Sequence, residues 1–307
     1  MHIAIMGAGA LGGYFGGRLA AAGHQVDLIA RGAHLAAIRA HGLRIESPKG
    51  DLHVPGIRAT DDPADAGPVD AVLFFVKNYD VEQAAAALAP MLGADSFVVT
   101  FQNGVSAPDR VADIIGQGRV VPGVARIPAA VRAPGIIEHR AAMDTLIFGE
   151  TDGVISARCE QLAAALRDAG TDPLVSKDIL AELWGKFVLQ SATSAITAMT
   201  RLTFGQVRAV PETATLLRRA MQETADVGRA IHPAFAPDMA AQQYAAFEAM
   251  PGNVKASMLD DLLGGKRLEL PWISGDVVRL GRAHGVATPV HEVAYGVLLP
   301  FVDGAPD

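Results

Sequence analysis

Cysteine is almost absent from this chain of 307 residues: Cys159 is the only one. That excludes an intramolecular disulfide framework and a cysteine-based metal cluster, and it fits a reducing compartment. Charge is sparse too. Charged residues make up 19%, the formal net charge is -7, and no dense Lys/Arg cluster occurs, which argues against a nucleic-acid-binding footprint and leaves any anionic ligand to local cations. No apolar run approaches the ~20 residues of a membrane-spanning helix. The apolar N-terminus is broken by glycines and lacks both a basic leading segment and a cleavage site, so it reads as a buried strand and not as a signal peptide. These absences lead us to expect a cytoplasmic, soluble protein with no membrane or nucleic-acid partner.

What is present points elsewhere. Half of the residues are hydrophobic, and 32 glycines and 18 prolines are spread along the sequence, a composition that excludes disorder and fits a compact enzyme-like protein. The chain is long for a single core, so two domains are the natural expectation. It opens with a short apolar strand, Ile3 to Met6, running into Gly7-Ala8-Gly9-Ala10-Leu11-Gly12 with the spacing G-x-G-x-x-G. In such a turn Gly7 takes the tight bend and Gly9 lets a pyrophosphate approach the backbone. Gly12 lets the next helix pack closely, its first N–H groups facing the phosphates. The context supports this reading: Leu11 to Ala22 has a helical pattern stopped by Gly23, and Val26 to Ala30 reads as the second strand of a βαβ unit.

The residues after that second strand choose the cofactor. A site for NAD usually places Asp or Glu there to accept the ribose hydroxyls. This chain has Ala30-Arg31, and Asp27 lies too early, inside the strand. Arg31 can pair with a 2′-phosphate, which favours NADP(H); the bland alternative is a solvated loop charge.

Strand and helix patterns keep alternating as far as Ser176. Ala33 to His41 reads as a helix, Leu43 to Val54 as a hairpin, and Val69 to Val76, Phe97 to Thr100 and Val120 to Val124 as apolar strands. Val81 to Leu92 and Pro108 to Ile115 read as the helices between these, the rhythm of a parallel sheet. Ile127 to Phe148 reads as short strands forming an antiparallel extension on the sheet edge. Beyond Ser176 strand signals almost vanish, and helical patterns are punctuated by Pro211, Pro233, Pro251, Gly264, Pro271 and Pro289. The expected fold is α/β: an N-terminal Rossmann-type parallel-sheet domain (1–176) followed by an all-helical C-terminal domain (177–307). Late helices such as Trp272 to His284 could bury a partner chain as readily as their own domain, so a homodimer is admitted.

Three places carry candidate chemistry. Lys77 follows the strand Val69 to Val76, and Gln102-Asn103-Gly104 follows Phe97 to Thr100, so both stand where open α/β sheets bind ligands. A solvated strand end and an ordinary Asn-Gly turn are their bland counterparts. The third is Ala181-Glu-Leu-Trp-Gly-Lys186 and its continuation, in which no charge follows Lys186 until Arg201. This helix should be largely buried, with Lys186, Gln190 and Ser194 on one polar stripe and Leu183, Phe187 and Val188 on the packing side. A snorkelling lysine paired with Glu182 is the alternative.

Taken together, Gly7 to Gly12, Arg31, Val76-Lys77, Asn103-Gly104, Glu182-Leu-Trp-Gly-Lys186, Ser257-Met-Leu259 and Arg267-Leu-Glu269 resemble the ketopantoate reductase family, the NADP-dependent 2-dehydropantoate 2-reductases, essentially end to end. The resemblance implies NADPH-dependent reduction of a small 2-keto acid, with Lys186 as general acid and Glu269 orienting the substrate and its hydroxyl. It also implies that Ser257 contacts the substrate carboxylate and that Lys77 and Asn103 line the nicotinamide and the substrate. No metal is required: a desolvated lysine can stabilise the oxyanion left by hydride addition and then protonate it. Glu269 lies just before Pro271, so helix-end N–H groups are expected to help fix its carboxylate.

The chain departs from the family's usual pattern at Gln190 and Ser194, where asparagines are usual, and in Glu269-Leu-Pro-Trp-Ile-Ser-Gly275, where Glu-Ile-Asp-x-x-Asn-Gly is common. Reaction type survives such changes better than substrate identity, because polar groups that hold a substrate also discriminate. Ketopantoate is the leading substrate and another bulky 2-keto acid the alternative. A non-catalytic NADP(H)-binding sensor is the rival of a different class; it has no need of Lys186 or Glu269.

Overall fold

A computed structural model describes residues 1–305. Their contacts divide the chain into two units, Met1–Gln102 with Ala107–Ile179, and Asn103–Ser106 with the residues from Leu180 onward. The first unit begins with β1 (His2–Met6), α1 (Ala10–Ala21), β2 (Gln25–Ile29), α2 (Gly32–His41), β3 (Leu43–Glu46), β4 (Leu52–Val54) and β5 (Arg58–Thr60). It continues with β6 (Val69–Phe74), α3 (Val81–Ala86), β7 (Leu92–Thr100), α4 (Ala107–Ile115) and β8 (Val120–Arg126). It closes with β9 (Ala129–Ala133), β10 (Ile136–His139), β11 (Thr145–Phe148), α5 (Ala157–Asp168) and β12 (Asp172–Val175).

Eight of these strands form one sheet in the order β12-β11-β8-β7-β6-β1-β2-β5. Neighbours are parallel except where β11 runs against β8. Its central strands are apolar on both faces because both are covered. Ile3, Ile5, Ala71 and Leu73 join a core with Phe15, Leu19 and Leu162, whereas Ala4, Met6, Val72 and Phe74 join one with Val81, Ala85 and Val111.

The remaining four strands form a second sheet, β4-β3-β10-β9, and this corrects the expected antiparallel extension. Of the three strands in this stretch only β11 joins the main sheet, between β8 and β12; β10 pairs instead with β3 of the hairpin β3–β4, and β9 with β10. The reason lies in α1, which has a packed surface on two sides. A Cβ on Gly16 would stand 2.6 Å from the Leu28 side chain of the main sheet, while Cβ atoms on Gly13 and Gly17 would stand 3.0 and 2.7 Å from Ile137 and Ile45 of the second. Small residues on both faces let one helix serve two sheets, since a tightly packed interior has no slack for added methyl groups.

A buried polar network also ties these layers. The carboxylate of Asp144, 0% exposed, accepts from Tyr14 Oη at 2.6 Å and from Lys49 Nζ at 2.6 Å. Lys49 also reaches Asp172 at 3.1 Å. Burial, reinforced by Asp144, pushes the Tyr14 phenol up to about 12. Burial pulls the Lys49 ammonium down, but its bonds to Asp144 and Asp172 outweigh this and hold it above its ordinary value.

The second unit is helical: α6 (Ile179–Thr200), α7 (Phe204–Ala209), α8 (Pro211–Ile231), α9 (Met239–Ala249), α10 (Ser257–Leu263), α11 (Ser274–His284) and α12 (Pro289–Leu298). Trp184, Phe187, Leu217, Met221, Phe235 and Phe247 lie in its core. α7 is too short to show a period in sequence, yet it carries a complete capping box between Thr203 and Gln206. Glu223 of α8 accepts from the amides of Val290 and His291 at 2.9 and 3.1 Å, satisfying the start of α12. Burial pushes the Glu223 carboxyl up despite these bonds.

His291 itself is fully buried, with Nε2 near Ala220 O at 3.1 Å and Thr224 Oγ1 at 3.0 Å. Burial lowers its pKa from 6.5 to about 4. An unfolded chain therefore binds a proton at His291 before the folded one does, so this contribution to stability is complete above about pH 6.5 and is lost as pH falls toward 4. The expected loss is roughly 3 kcal/mol. Glu223, with its raised value, acts with the opposite slope, so the comparison needs a variant: urea unfolding at neutral and mildly acidic pH should show His291→Gln losing less stability on acidification than the parent. Equal losses would remove His291 as the source.

Candidate active site

The turn between β1 and α1 has the geometry its glycines imply. Gly7 has φ +93°, and a Cβ there would come within 2.8 Å of Val76 N. A Cβ on Gly12 would come within 2.3 Å of the Gly7 carbonyl oxygen. Around a Cβ on Gly9, by contrast, there is nothing within 4 Å. Gly7 and Gly12 therefore build the turn, and Gly9 keeps a face open to an approaching ligand. The amides of Gly7 and Ala8 donate to Ile29 O at 3.2 and 2.9 Å, pinning the loop to the end of β2. Ala10, Leu11 and Gly12 head the helix, and first-turn amides have no intrahelical acceptor. The residues fit a dinucleotide pyrophosphate.

Arg31 follows β2 as expected. It is 78% exposed and its Nη2 lies 2.7 Å from Asp80 Oδ2. Asp27, excluded on sequence as too early for a ribose, is buried and bound by His2 Nε2 at 2.6 Å and Arg58 Nε at 2.9 Å.

Lys77 is exposed, in the turn after β6. The strand ends at Phe74, not at Val76, because the chain there is gathered into a short 3₁₀ turn, Asn78–Asp80. Arg110 of α4 fixes that turn through Asn78 Oδ1 at 3.1 Å and Asn78 O at 2.7 Å, and it pairs with Glu82. The Arg110 hydrogen bond holds the Glu82 carboxyl below its ordinary value. Gln102 is structural: its Nε2 donates to Phe74 O and Val76 O at 2.8 and 3.1 Å, joining the ends of β6 and β7.

Asn103–Ser106 follows β7 in sequence but groups by its contacts with the helical unit. There the second cluster assembles. Lys186 Nζ donates to Asn103 Oδ1 at 3.4 Å, and Asn103 Nδ2 donates to Glu269 Oε2 at 3.2 Å. Gly104 N donates to Gln190 Oε1 at 3.4 Å. The Asn-Gly pair is more than a turn: Gly104 has φ +86°, and a Cβ on it would sit 2.6 Å from the carbonyl oxygen of Trp272. α6 carries Lys186 half-buried between Trp184, Phe187 and Val188, all in the core.

Glu269 is only 5% exposed and sits between the buried Leu268 and Leu270. Its expected helix-end partner is corrected by the structure. Glu269 does precede a short 3₁₀ helix, Leu270–Trp272, with Pro271 at its start, but the side chain makes no capping bond to it. A carboxylate removed from water needs a partner, and here the amide of Asn103 provides one. Hydrogen bonds thus join Asn103, Lys186 and Glu269, and separately Gln190 and Gly104. Ser194 is buried on α6 two turns beyond Lys186, and Ser257 is exposed at the first position of α10; neither takes part in these bonds. What sequence reasoning missed is the bridging position of Asn103 and the carboxylate of Asp80 on Arg31. The only signal was their place after parallel strands, which specifies an edge and not a partner.

Residues 3–153 match the family Ketopantoate reductase PanE/ApbA, and residues 178–300 match Ketopantoate reductase PanE/ApbA C terminal. The 2-dehydropantoate 2-reductase of Mesorhizobium japonicum is 33% identical, over 94% of this chain and 94% of its own. That of Archaeoglobus fulgidus is 34% identical, with 94% of each chain covered. Among solved structures, a PanE/ApbA family ketopantoate reductase from Ralstonia eutropha JMP134 superposes with a TM-score of 0.90 at 34% identity, covering 98% of both chains. No helix among the described residues is long and apolar enough to cross a membrane.

Proposed function

The chain belongs to the ketopantoate reductase family and is an oxidoreductase, and we propose that it reduces 2-dehydropantoate to pantoate with NADPH, using Lys186 as the general acid. The observation that carries this reading is the bonded trio Lys186–Asn103–Glu269 beside the apolar core of Trp184, Phe187, Leu268 and Leu270. An ammonium has three donors and no acceptor. Asn103 Oδ1 accepts from one of them, which gives Nζ a defined position from which to meet a substrate carbonyl. Hydride for the reaction comes from the reduced nicotinamide when it is bound. As negative charge builds on the keto oxygen, Nζ stabilises it and delivers the proton that completes the alcohol.

The Glu269 carboxyl, oriented by Asn103 Nδ2, suits the hydroxyl of the substrate as an acceptor. Ser257 is assigned to the substrate carboxylate, Gln190 and Ser194 to its body, and Lys77 to the nicotinamide end of the nucleotide. Gly7 to Gly12 would hold the pyrophosphate and Arg31 the 2′-phosphate.

The direct test is oxidation of NADPH and of NADH with ketopantoate and a panel of other 2-oxo acids. We expect ketopantoate with NADPH to give the highest kcat/KM. Absence of turnover with every 2-oxo acid would overturn the proposal. Activity confined to another bulky 2-oxo acid would keep the role of Lys186 and place substrate choice at Gln190, Ser194 and Pro271-Trp272. Gln190 is the residue to suspect, because its side-chain oxygen is held by Gly104 N.

A further inference from the structure

Arg31 already has an anionic partner within the protein. Its Nη2 bonds Asp80 Oδ2 at 2.7 Å, with the guanidinium 78% and the carboxylate 24% exposed. Asp80 stands at the N-cap position of α3, where an aspartate commonly accepts from its own helix, but it makes no side-chain capping bond there. Its amide donates to Lys77 O at 2.9 Å, which fixes the turn that presents it. The carboxylate is thus held by its backbone and directed to Arg31. The usual carboxylate for ribose hydroxyls is absent from the end of β2, and Asp27 is engaged by His2 and Arg58.

We propose that Asp80 sets how strongly this chain distinguishes a 2′-phosphorylated dinucleotide from an unphosphorylated one, by competing with the 2′-phosphate for Arg31. The inference rests on the reading of Arg31 as the 2′-phosphate residue. A guanidinium offers five N–H donors, so it can hold Asp80 and a phosphate oxygen together. A phosphate arriving there nevertheless meets a fixed like charge. A ribose bearing a free 2′-hydroxyl brings no such repulsion, and Asp80 can accept a hydrogen bond from it in the way that an acidic residue at the C-terminal edge of the sheet does in NAD sites. Arg31 and Asp80 therefore pull in opposite directions, and the chain's preference for NADP(H) is smaller than Arg31 alone would give.

The experiment is calorimetric titration of the whole chain with NADP⁺ and with NAD⁺ in the absence of any 2-oxo acid, for the parent, Asp80→Asn and Arg31→Ala. Thermal unfolding checks that each variant is folded. We expect Asp80→Asn to tighten NADP⁺ by about tenfold, the size of one like-charge contact at a partly exposed site, while NAD⁺ is unchanged or weaker. Arg31→Ala should weaken NADP⁺ and leave NAD⁺ nearly untouched. If Arg31→Ala abolishes the preference while Asp80→Asn leaves it as it was, the role of Asp80 is overturned and that of Arg31 stands. If Arg31→Ala leaves the preference intact, the reading of Arg31 falls, and this inference falls with it.

Discussion

Replacing Lys186 by alanine is expected to lower kcat for 2-oxo acid reduction by a factor of about 10²–10⁴, the range ascribed to a positioned general acid, with nucleotide affinity nearly unchanged. The two readouts separate because Lys186 belongs to the helical unit, whereas the glycine turn and Arg31 belong to the other. Lys186→Arg is the informative companion. It keeps a positive charge for the oxyanion but is too weak an acid to release its proton readily, so it should recover only part of the lost rate. Steady-state kinetics with NADPH, beside a fluorescence titration of nucleotide binding, would check both. Full turnover in Lys186→Ala would remove this residue from the chemistry and overturn its assignment as the general acid.

The largest effect on stability is expected at Lys49→Met. Asp144 is 0% exposed and Lys49 23% exposed, so the substitution leaves a buried carboxylate held by the Tyr14 hydroxyl alone of its two side-chain donors. Stranding one member of a buried pair costs 3–5 kcal/mol; partial exposure of Lys49 argues for the lower end, about 3 kcal/mol, or roughly 10 °C in Tm. Adding Asp144→Asn removes the stranded charge while keeping an acceptor for Tyr14. The double variant should therefore be more stable than Lys49→Met alone, although less stable than the parent. Urea or thermal unfolding of the three proteins would decide it. A single variant within about 0.5 kcal/mol of the parent would show that water replaces Lys49 without difficulty.

Much of this architecture was readable before any coordinates. Ile3 to Met6 and Ala71 to Phe74 are apolar on consecutive positions because helices cover both faces of the sheet. The Lys186 stripe was visible because one cation on a long apolar helix violates the ordinary pattern. Other features were hidden for definable reasons. β10 alternates as an edge extension would, and nothing in its period says that it pairs with β3, which lies about ninety residues earlier, and carries β9 along on its other side. Likewise, Asn103 and Glu269 are 166 positions apart, and a buried carboxylate between two leucines looks in sequence like a surface charge in a loop. Local patterns report which face of an element is covered. They do not report which distant element covers it, and the polar pairs Asn103–Glu269, Tyr14–Asp144 and Glu223–α12 all depend on that second fact.

The glycines of α1 have a consequence for the order in which this protein becomes itself. One face of α1 can settle against Ile5 and Leu28 as soon as the first thirty residues exist, but the face bearing Gly13 and Gly17 needs Ile45 and Ile137. A nascent chain lacking β10 holds a glycine-rich helix with one side bare, and glycine gives an unsupported helix little stability of its own. The N-terminal end of α1, where the pyrophosphate is proposed to sit, is therefore expected to acquire its final rigidity only once the ribosome has passed well beyond residue 137, since contacts of such long sequence separation form late. Binding competence, though encoded in the opening residues, matures near the middle of synthesis.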